Sequence, residues 1–362
     1  MPLYRKLLGV SAAAALTASA TRTRKKARRR AIELGAPFGV LPTLPAGPSR
    51  RVGLVYNPSK PGAAATVEIL ERTLAANGHP QALVRTTRVD EPGSEAAREL
   101  IAEGVDLLIA AGGDGTVRAV AAALAHHEGQ KPRLGILPMG TGNLLARNLY
   151  IPVSDVAACI DIALNGAGQT VDAIEMTTTG TTGEETEHTF FVMSGAGFDA
   201  LVMNDTNEEI KAKFGWVAYV QSGMKHMLGR SHPVRISVDG GESRILPMRS
   251  VLVANCGRLQ GGIRLADMTD VHDGKLEVIV ASPRDLVEWG LLMAKVMRRT
   301  ILGSPRIELP VIRHLVGSEV VLDFPDGAQP VEVDGDPAPS AHRISARVLP
   351  AAVEVAVHPD VL

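Results

Sequence analysis

Residues 108–124, LIAAGGDGTVRAVAAAL, read as a buried strand that stops at a glycine-rich turn and opens directly into a helix. The strand is expected over Val105–Ala111, the turn at Gly112-Gly113-Asp114-Gly115-Thr116, and the helix over Val117–Ala125. Glycines let a backbone approach a phosphate closely, and a helix N-terminus presents free N–H groups and a favourable dipole. Asp114 would repel a bare phosphate, so a carboxylate at this turn points to a metal–nucleotide complex. Residues 134–149, LGILPMGTGNLLARNL, repeat the arrangement with a strand over Leu134–Leu137, a turn at Gly140-Thr141-Gly142-Asn143, and a helix over Leu144–Asn148. The turns match neither the phosphate loop G-x-x-x-x-G-K-[ST] nor the dinucleotide fingerprint G-x-G-x-x-G.

Upstream, Val52–Tyr56 is a short apolar run closed by Asn57-Pro58, and Ala63–Asn77 carries Val67, Leu70 and Leu74 at helical spacing before Gly78. A strand over Ala82–Arg85 and a helix over Glu95–Ala102 follow. Such alternation predicts a mostly parallel sheet covered by helices, with ligands at the carboxyl ends of its strands. Downstream the pattern changes to strand-like runs separated by Gly, Asp and Pro: Thr189–Met193, Val234–Val238, Ser250–Ala254, Leu276–Val280 and Val320–Leu322. One helix interrupts them over about 283–301, with Ser282 as its expected N-cap and Leu286, Trp289, Leu292, Met293 and Val296 as its packed face.

Aromatics make up only 3% of the chain, so Ala, Val, Leu and Ile must fill its cores. A net charge of -1 gives no reason to expect nucleic acid as a partner. The two cysteines, Cys159 and Cys256, lie far apart without metal-like spacing, which argues against a disulfide framework and for a reducing compartment. The first fifty residues hold an apolar run, Leu7–Ala20, followed by the basic block Thr21–Arg30. The small residues Ala18-Ser19-Ala20 resemble a cleavage site, but the heavier positive charge after the run favours a cytoplasmic location. The run is shorter than the ~20 residues a spanning helix needs, so the readings kept are a peripheral anchor on anionic lipid and a solvated tail. Pro42, Pro45, Gly47 and Pro48 then form a linker.

The two glycine-rich stretches together resemble the diacylglycerol kinase and sphingosine kinase catalytic-domain superfamily. Further motifs follow in the same order: Ser194–Ala200 (SGAGFDA), Asp270–Leu276 (DVHDGKL) and Val333–Asp336 (VDGD), with Asn57-Pro58 at the start. The resemblance implies an α/β nucleotide-binding domain like that of phosphofructokinase and NAD kinase over 51–168, then an antiparallel β-sandwich for the lipid over 169–344. Residues 345–362 would pack back on the first domain. It also implies a kinase that uses ATP and Mg²⁺, works on a lipid substrate presented at the inner face of a membrane, and admits a homodimer.

Carried over by resemblance, Asn57, Thr87, Gly112 to Thr116 and Gly140 to Asn143 would hold ATP, with Thr141 near the phosphates and Thr86 an alternative to Thr87. Asp114 would act through Mg²⁺ and ordered water, Asp334 would accept the proton of the lipid hydroxyl, and Asp336 stands where the family has glutamate. Asp273 would bind a structural Mg²⁺ together with the carbonyls of Asp270 and Lys275. Residues Asp273, Asp334 and Asp336 also suit plain turns, since Asp-Gly is a common turn pair. Leu144 departs from the aspartate of bacterial diacylglycerol kinases and is nearer the apolar residue of sphingosine-kinase-like members, which weakens a direct assignment to diacylglycerol and leaves a sphingoid base, ceramide or another hydroxylated lipid open as acceptor. NAD kinase shares the first turn but fits the second loop poorly. A non-catalytic lipid- or nucleotide-binding protein on the same scaffold is the other alternative.

Overall fold

The computed structural model describes residues 49–197, 231–259, 265, 270–285, 287–292, 294 and 311–362. The expectations for the apolar and basic N-terminal segment, for Phe198–Ala200, and for Leu286, Met293 and Val296 lie outside them.

The first half is the predicted alternation. Strands β1 (Val52–Tyr56), β2 (Leu83–Thr86), β3 (Leu107–Gly112) and β4 (Arg133–Pro138) lie parallel in the order β2-β1-β3-β4. Every residue of β3 is buried, as expected of a central strand covered on both faces. Helix α1 (Ala63–Ala76) turns Ala63, Thr66, Leu70 and Leu74 inward, and Gly78 at φ 72° follows its C-cap, where the left-handed conformation costs glycine little. Helices α2 (Ser94–Ala102), α3 (Asp114–Ala125), α4 (Leu144–Asn148) and α5 (Val156–Asn165) complete the layers. The described cap of α5 is Asp155, which accepts the Ala158 N–H. Helix α3 begins at Asp114 itself, three residues before the sequence expectation.

The second half is antiparallel. It contains β5 (Ala167–Thr179), β6 (Glu185–Phe190), β7 (Met193–Gly197), β8 (His232–Val238), β9 (Arg244–Met248), β10 (Ser250–Ala254), β11 (Leu276–Ala281), β12 (Ile312–Gly317), β13 (Glu319–Asp323), β14 (Gln329–Val333), β15 (Asp336–Ala341) and β16 (Arg343–Val357). One sheet has the order β12-β11-β10-β7-β14-β15. It faces β5, β6, β8, β13 and β16 across a core that includes Phe190, Ile236, Val253, Val278, Leu322 and Val331.

Strand β16 pairs antiparallel with β5 and β13 and then, at Val355, parallel with β4. The parallel sheet therefore continues into the sandwich without an edge. The β5–β16 ladder breaks between Leu349 and Val353, where Ala351 has φ 49° and donates its N–H to the buried Asp172 at 2.7 Å. The bulge redirects the long strand from one domain to the other.

Two local expectations need correction. The run Thr189–Met193 is not one strand: the chain leaves β6 at Phe190 and enters β7 at Met193 in the other sheet. Ser282 does not cap the helix after it: Asp285 accepts the N–H groups of Val287 and Glu288, while the Ser282 N–H donates to the Val311 carbonyl. Residues 287–292 are helical, with Trp289 and Leu292 buried as the packed face requires.

Candidate active site

The two glycine turns touch. Strands β3 and β4 are neighbours, so the loops that leave their carboxyl ends lie side by side. A Cβ built on Gly140 would fall 2.7 Å from the Gly113 Cα, and one on Gly112 would fall 2.6 Å from the Thr116 side chain. Neither position has room for a side chain. Asn143 adopts φ 49°, accepts the Gly140 N–H at 2.9 Å and donates Nδ2–H to the Gly140 carbonyl at 2.7 Å, which closes the second turn on itself.

Asp114 joins the loops. Its Oδ2 accepts the Asn143 N–H at 2.8 Å and its Oδ1 the Leu144 N–H at 2.6 Å. A carboxylate from the start of α3 thus caps the start of α4, where free N–H groups and the helix dipole favour negative charge. Arg147 stands on the other side, its Nε–H donating to the Gly142 carbonyl at 2.7 Å. Burial lowers the pKa of that guanidinium, and the negative charge of Asp114 works against the lowering.

The sandwich contributes a hairpin between β14 and β15. Asp334, 7% exposed and at φ 48°, sits at its tip. Its Oδ1 accepts the N–H groups of Val192 and Met193, each at 3.0 Å, and its Oδ2 that of Phe191 at 3.2 Å. Those donors are the residues that interrupt the predicted strand, so the break between β6 and β7 supplies the cradle for this carboxylate. Burial pushes the Asp334 carboxyl up to about 6, against the opposing pull of the Arg118 charge and the three backbone donors. Asp336, with a side chain 56% exposed, pairs with Arg118 at 2.7 Å. Its Oδ2 would lie 3.4 Å from a Cβ built on Gly115. Asp114, Arg118, Asn143, Phe191, Val192 and Asp334 border one narrow pocket where nucleotide domain and sandwich meet.

The family-model search finds two adjoining matches: "Diacylglycerol kinase catalytic domain" over residues 51–176, and "YegS C-terminal NAD kinase beta sandwich-like domain" over 192–357. The chain is 32% identical over 265 residues to a protein of Xanthomonas euvesicatoria named "Probable lipid kinase YegS-like", a match covering 72% of this chain and 81% of that protein. The chain belongs to the diacylglycerol kinase catalytic-domain family. A second relative of the same name, from Xanthomonas axonopodis, is 34% identical with 64% of its length covered. "Diacylglycerol kinase" of Bacillus subtilis is 27% identical with 66% of this chain and 76% of that protein covered. A crystal structure of a diacylglycerol kinase from Bacillus anthracis shares the fold, with a TM-score of 0.62, 21% identity, 87% of this chain and 100% of that chain covered.

Within this family member, the structure gathers Gly112 to Thr116, Gly140 to Asn143, Asp114, Asp334 and Asp336 around one cleft. Asn57 follows β1 at the same sheet edge, where its N–H donates to the Ala111 carbonyl at 2.9 Å and its Oδ1 accepts the Ser59 N–H and hydroxyl. Thr87 follows β2 and is buried, whereas Thr86 is exposed.

Asp270, Asp273 and Lys275 lie in a turn tied to β5 by Asp172, whose carboxylate accepts the Gly274 N–H at 2.7 Å and whose N–H donates to the Val271 carbonyl. Asp273 accepts the N–H groups of Asp270 and Lys275, each at 3.0 Å, and donates its own N–H to the Asp270 carbonyl. The Asp270 carbonyl takes that hydrogen bond at 3.3 Å, and among the described residues no group of three or more His, Cys, Asp or Glu side chains could hold a metal, a pattern that one carboxylate with backbone carbonyls would not form.

Two residues near the cleft were given no role from sequence. Lys60, in the loop after β1, places Nζ 3.8 Å from where a Gly113 Cβ would stand. Arg118 spans from α3 to the hairpin. Asn148 is a clamp: it donates to the Arg258 carbonyl at 2.9 Å and accepts the Arg258 N–H at 3.0 Å. Arg258 in turn stacks over Tyr150 with its guanidinium carbon 4.1 Å from the ring centroid. Among the described residues, no helix is long and apolar enough to cross a membrane.

Proposed function

We propose that this lipid-kinase family member transfers the γ-phosphoryl group of ATP to a lipid hydroxyl in the cleft between the nucleotide domain and the sandwich. The observation that carries the reading is the convergence of two glycine turns, tied by Asp114, with the Asp334 hairpin of the second domain. The turns and the N-terminus of α3 would receive the phosphates, and Lys60 would add positive charge beside them. Asp114 is the carboxylate that fits a Mg²⁺ arriving with the nucleotide, an ion that usually needs only one or two protein carboxylates beside phosphate oxygens and would neutralise charge there. The acceptor hydroxyl oxygen forms a bond to the γ-phosphorus, the bond from that phosphorus to the ADP oxygen breaks, and the hydroxyl proton passes to a carboxylate.

Asp334 is assigned as that carboxylate. A base whose pKa is raised towards the working pH is both ionised and able to hold a proton, which suits general-base work. One observation favours a second assignment within the same reaction. All three cradle donors occupy Asp334, whereas Asp336 is half-exposed beside Gly115.

The acceptor is diacylglycerol or a related hydroxylated lipid such as a sphingoid base, met at the inner face of a membrane. ATP consumption measured side by side with dispersed lipid and with NAD tests the reading. Consumption that depends on lipid supports it, and consumption that depends on NAD replaces it with NAD kinase.

A further inference from the structure

We infer that Arg118 is the positioning residue of the transfer step, the side chain that holds the acid-bearing hairpin of the sandwich against the phosphate-binding end of α3. The inference rests on the kinase reading for its consequence in rate, but its structural content stands alone.

Arg118 lies one turn into α3, behind Asp114 and Gly115. Its Nη1 donates to the Val333 carbonyl, immediately before Asp334, and its Nη2 donates to Asp336 at 2.7 Å, on the far side of the tip. The two prongs of one guanidinium thus grip the hairpin on both sides of Asp334. The planar fork of arginine suits such two-point contact, which a lysine ammonium cannot reproduce. Side-chain exposure is 23% at Arg118 and 56% at Asp336, so water still screens that ion pair, whereas the Val333 contact is to a buried residue.

Several charged or titratable groups surround the grip. Glu332, on β14, accepts the Gly335 N–H at 2.7 Å and helps shape the tip. Asp114 faces the pocket from α3, Cys256 is buried near Asp334, and the half-buried His188 on β6 lies within the field of Arg118. Arg118 is the cation among these whose charge bears on Asp334, holding its carboxyl below where burial alone would put it. Without Arg118, the hairpin would loosen and the base would keep its proton to higher pH.

The test compares wild type with Arg118→Met and Arg118→Lys, by steady-state kinetics across pH and by hydrogen exchange of the hairpin without lipid. Arg118→Met should lower kcat on the order of 10²-fold, the scale of a misplaced reacting group, while the KM for ATP stays put. Its acid limb should move to higher pH. Arg118→Lys should keep the limb near its original place but not recover kcat. Exchange across residues 329–341 should quicken in both variants. Unchanged exchange in Arg118→Met overturns the inference even in a protein that turns over no lipid, and a loss confined to the KM for ATP overturns it as well. Absence of lipid turnover in wild type, with the exchange difference present, would instead overturn the kinase reading and leave the bridge standing.

Discussion

The Leu144 N–H donates to the Asp114 carboxylate at 2.6 Å, so the first residue of α4 joins the cleft through its backbone. Its side chain packs against the apolar core of the nucleotide domain. Asp114 is therefore a strut between two loops as well as a candidate for the phosphate end of the cleft.

Asp114→Asn should lose lipid phosphorylation and also some stability. The amide keeps one acceptor and turns an NH₂ towards a backbone N–H, and a buried donor left unsatisfied costs about 1–3 kcal/mol. Thermal melting beside the activity assay checks both effects. A fully active variant with an unchanged melt would remove Asp114 from the site.

Asp334 gives a pH signature. Its carboxyl holds a proton up to about 6 in the folded protein, against about 4 in an unfolded chain. The stability it contributes is complete below the unfolded value and is lost as pH rises through about 6. Asp334→Asn has no such loss, so its melting temperature should gain on wild type between pH 4 and 7. In kinetics, wild type should show an acid limb near pH 6 that Asp334→Asn lacks, with little activity left at any pH. A wild-type limb that persists in active Asp334→Asn would move the proton to Asp336.

Lys60→Met should weaken nucleotide binding about ten- to hundredfold, the order expected from one charge-assisted contact of about 1.5–3 kcal/mol, and should spare the melt. Titration with a fluorescent ATP analogue measures it. Equal affinity would place the Lys60 charge outside the phosphate path.

The N–H groups of Asp270, Val271, Asp273, Gly274 and Lys275 all have oxygen partners within the protein, which holds the Asp270–Lys275 turn in shape. EDTA should leave the melting temperature of nucleotide-free protein unchanged. A drop reversed by Mg²⁺ would place a structural metal in this loop.

Much of the nucleotide half could be read from the chain, because its signals are local. Strand β3 is an apolar run, its turn is glycine, and α3 follows at once. The start of α3 was set three residues late, since Asp114 and Gly115 read as turn until the packing of Thr116 on Gly112 is seen. The sandwich strands were legible where alternation is clean, as in β10, and failed where a distant side chain decides. Nothing in Thr189–Met193 says that three of its N–H groups serve an aspartate more than 140 residues away. Arg118 lay in the quoted motif, but its partners Val333 and Asp336 come from the other domain. Lys60 was hidden for the same reason: its nearness to Gly113 depends on how the β1 and β3 loops meet. Asp285 could have been preferred to Ser282 as a cap, because it stands two residues before Val287.

The central claim is transfer from ATP to a lipid. Incubation with ATP labelled at the γ-phosphate, Mg²⁺ and mixed micelles carrying diacylglycerol, monoacylglycerol, sphingosine, ceramide or phosphatidylglycerol tests it directly. The account predicts one labelled lipid, lost in Asp114→Asn and Asp334→Asn. Nucleotide binding with no labelled lipid anywhere on the panel would contradict it and make this chain a binding protein on a kinase scaffold.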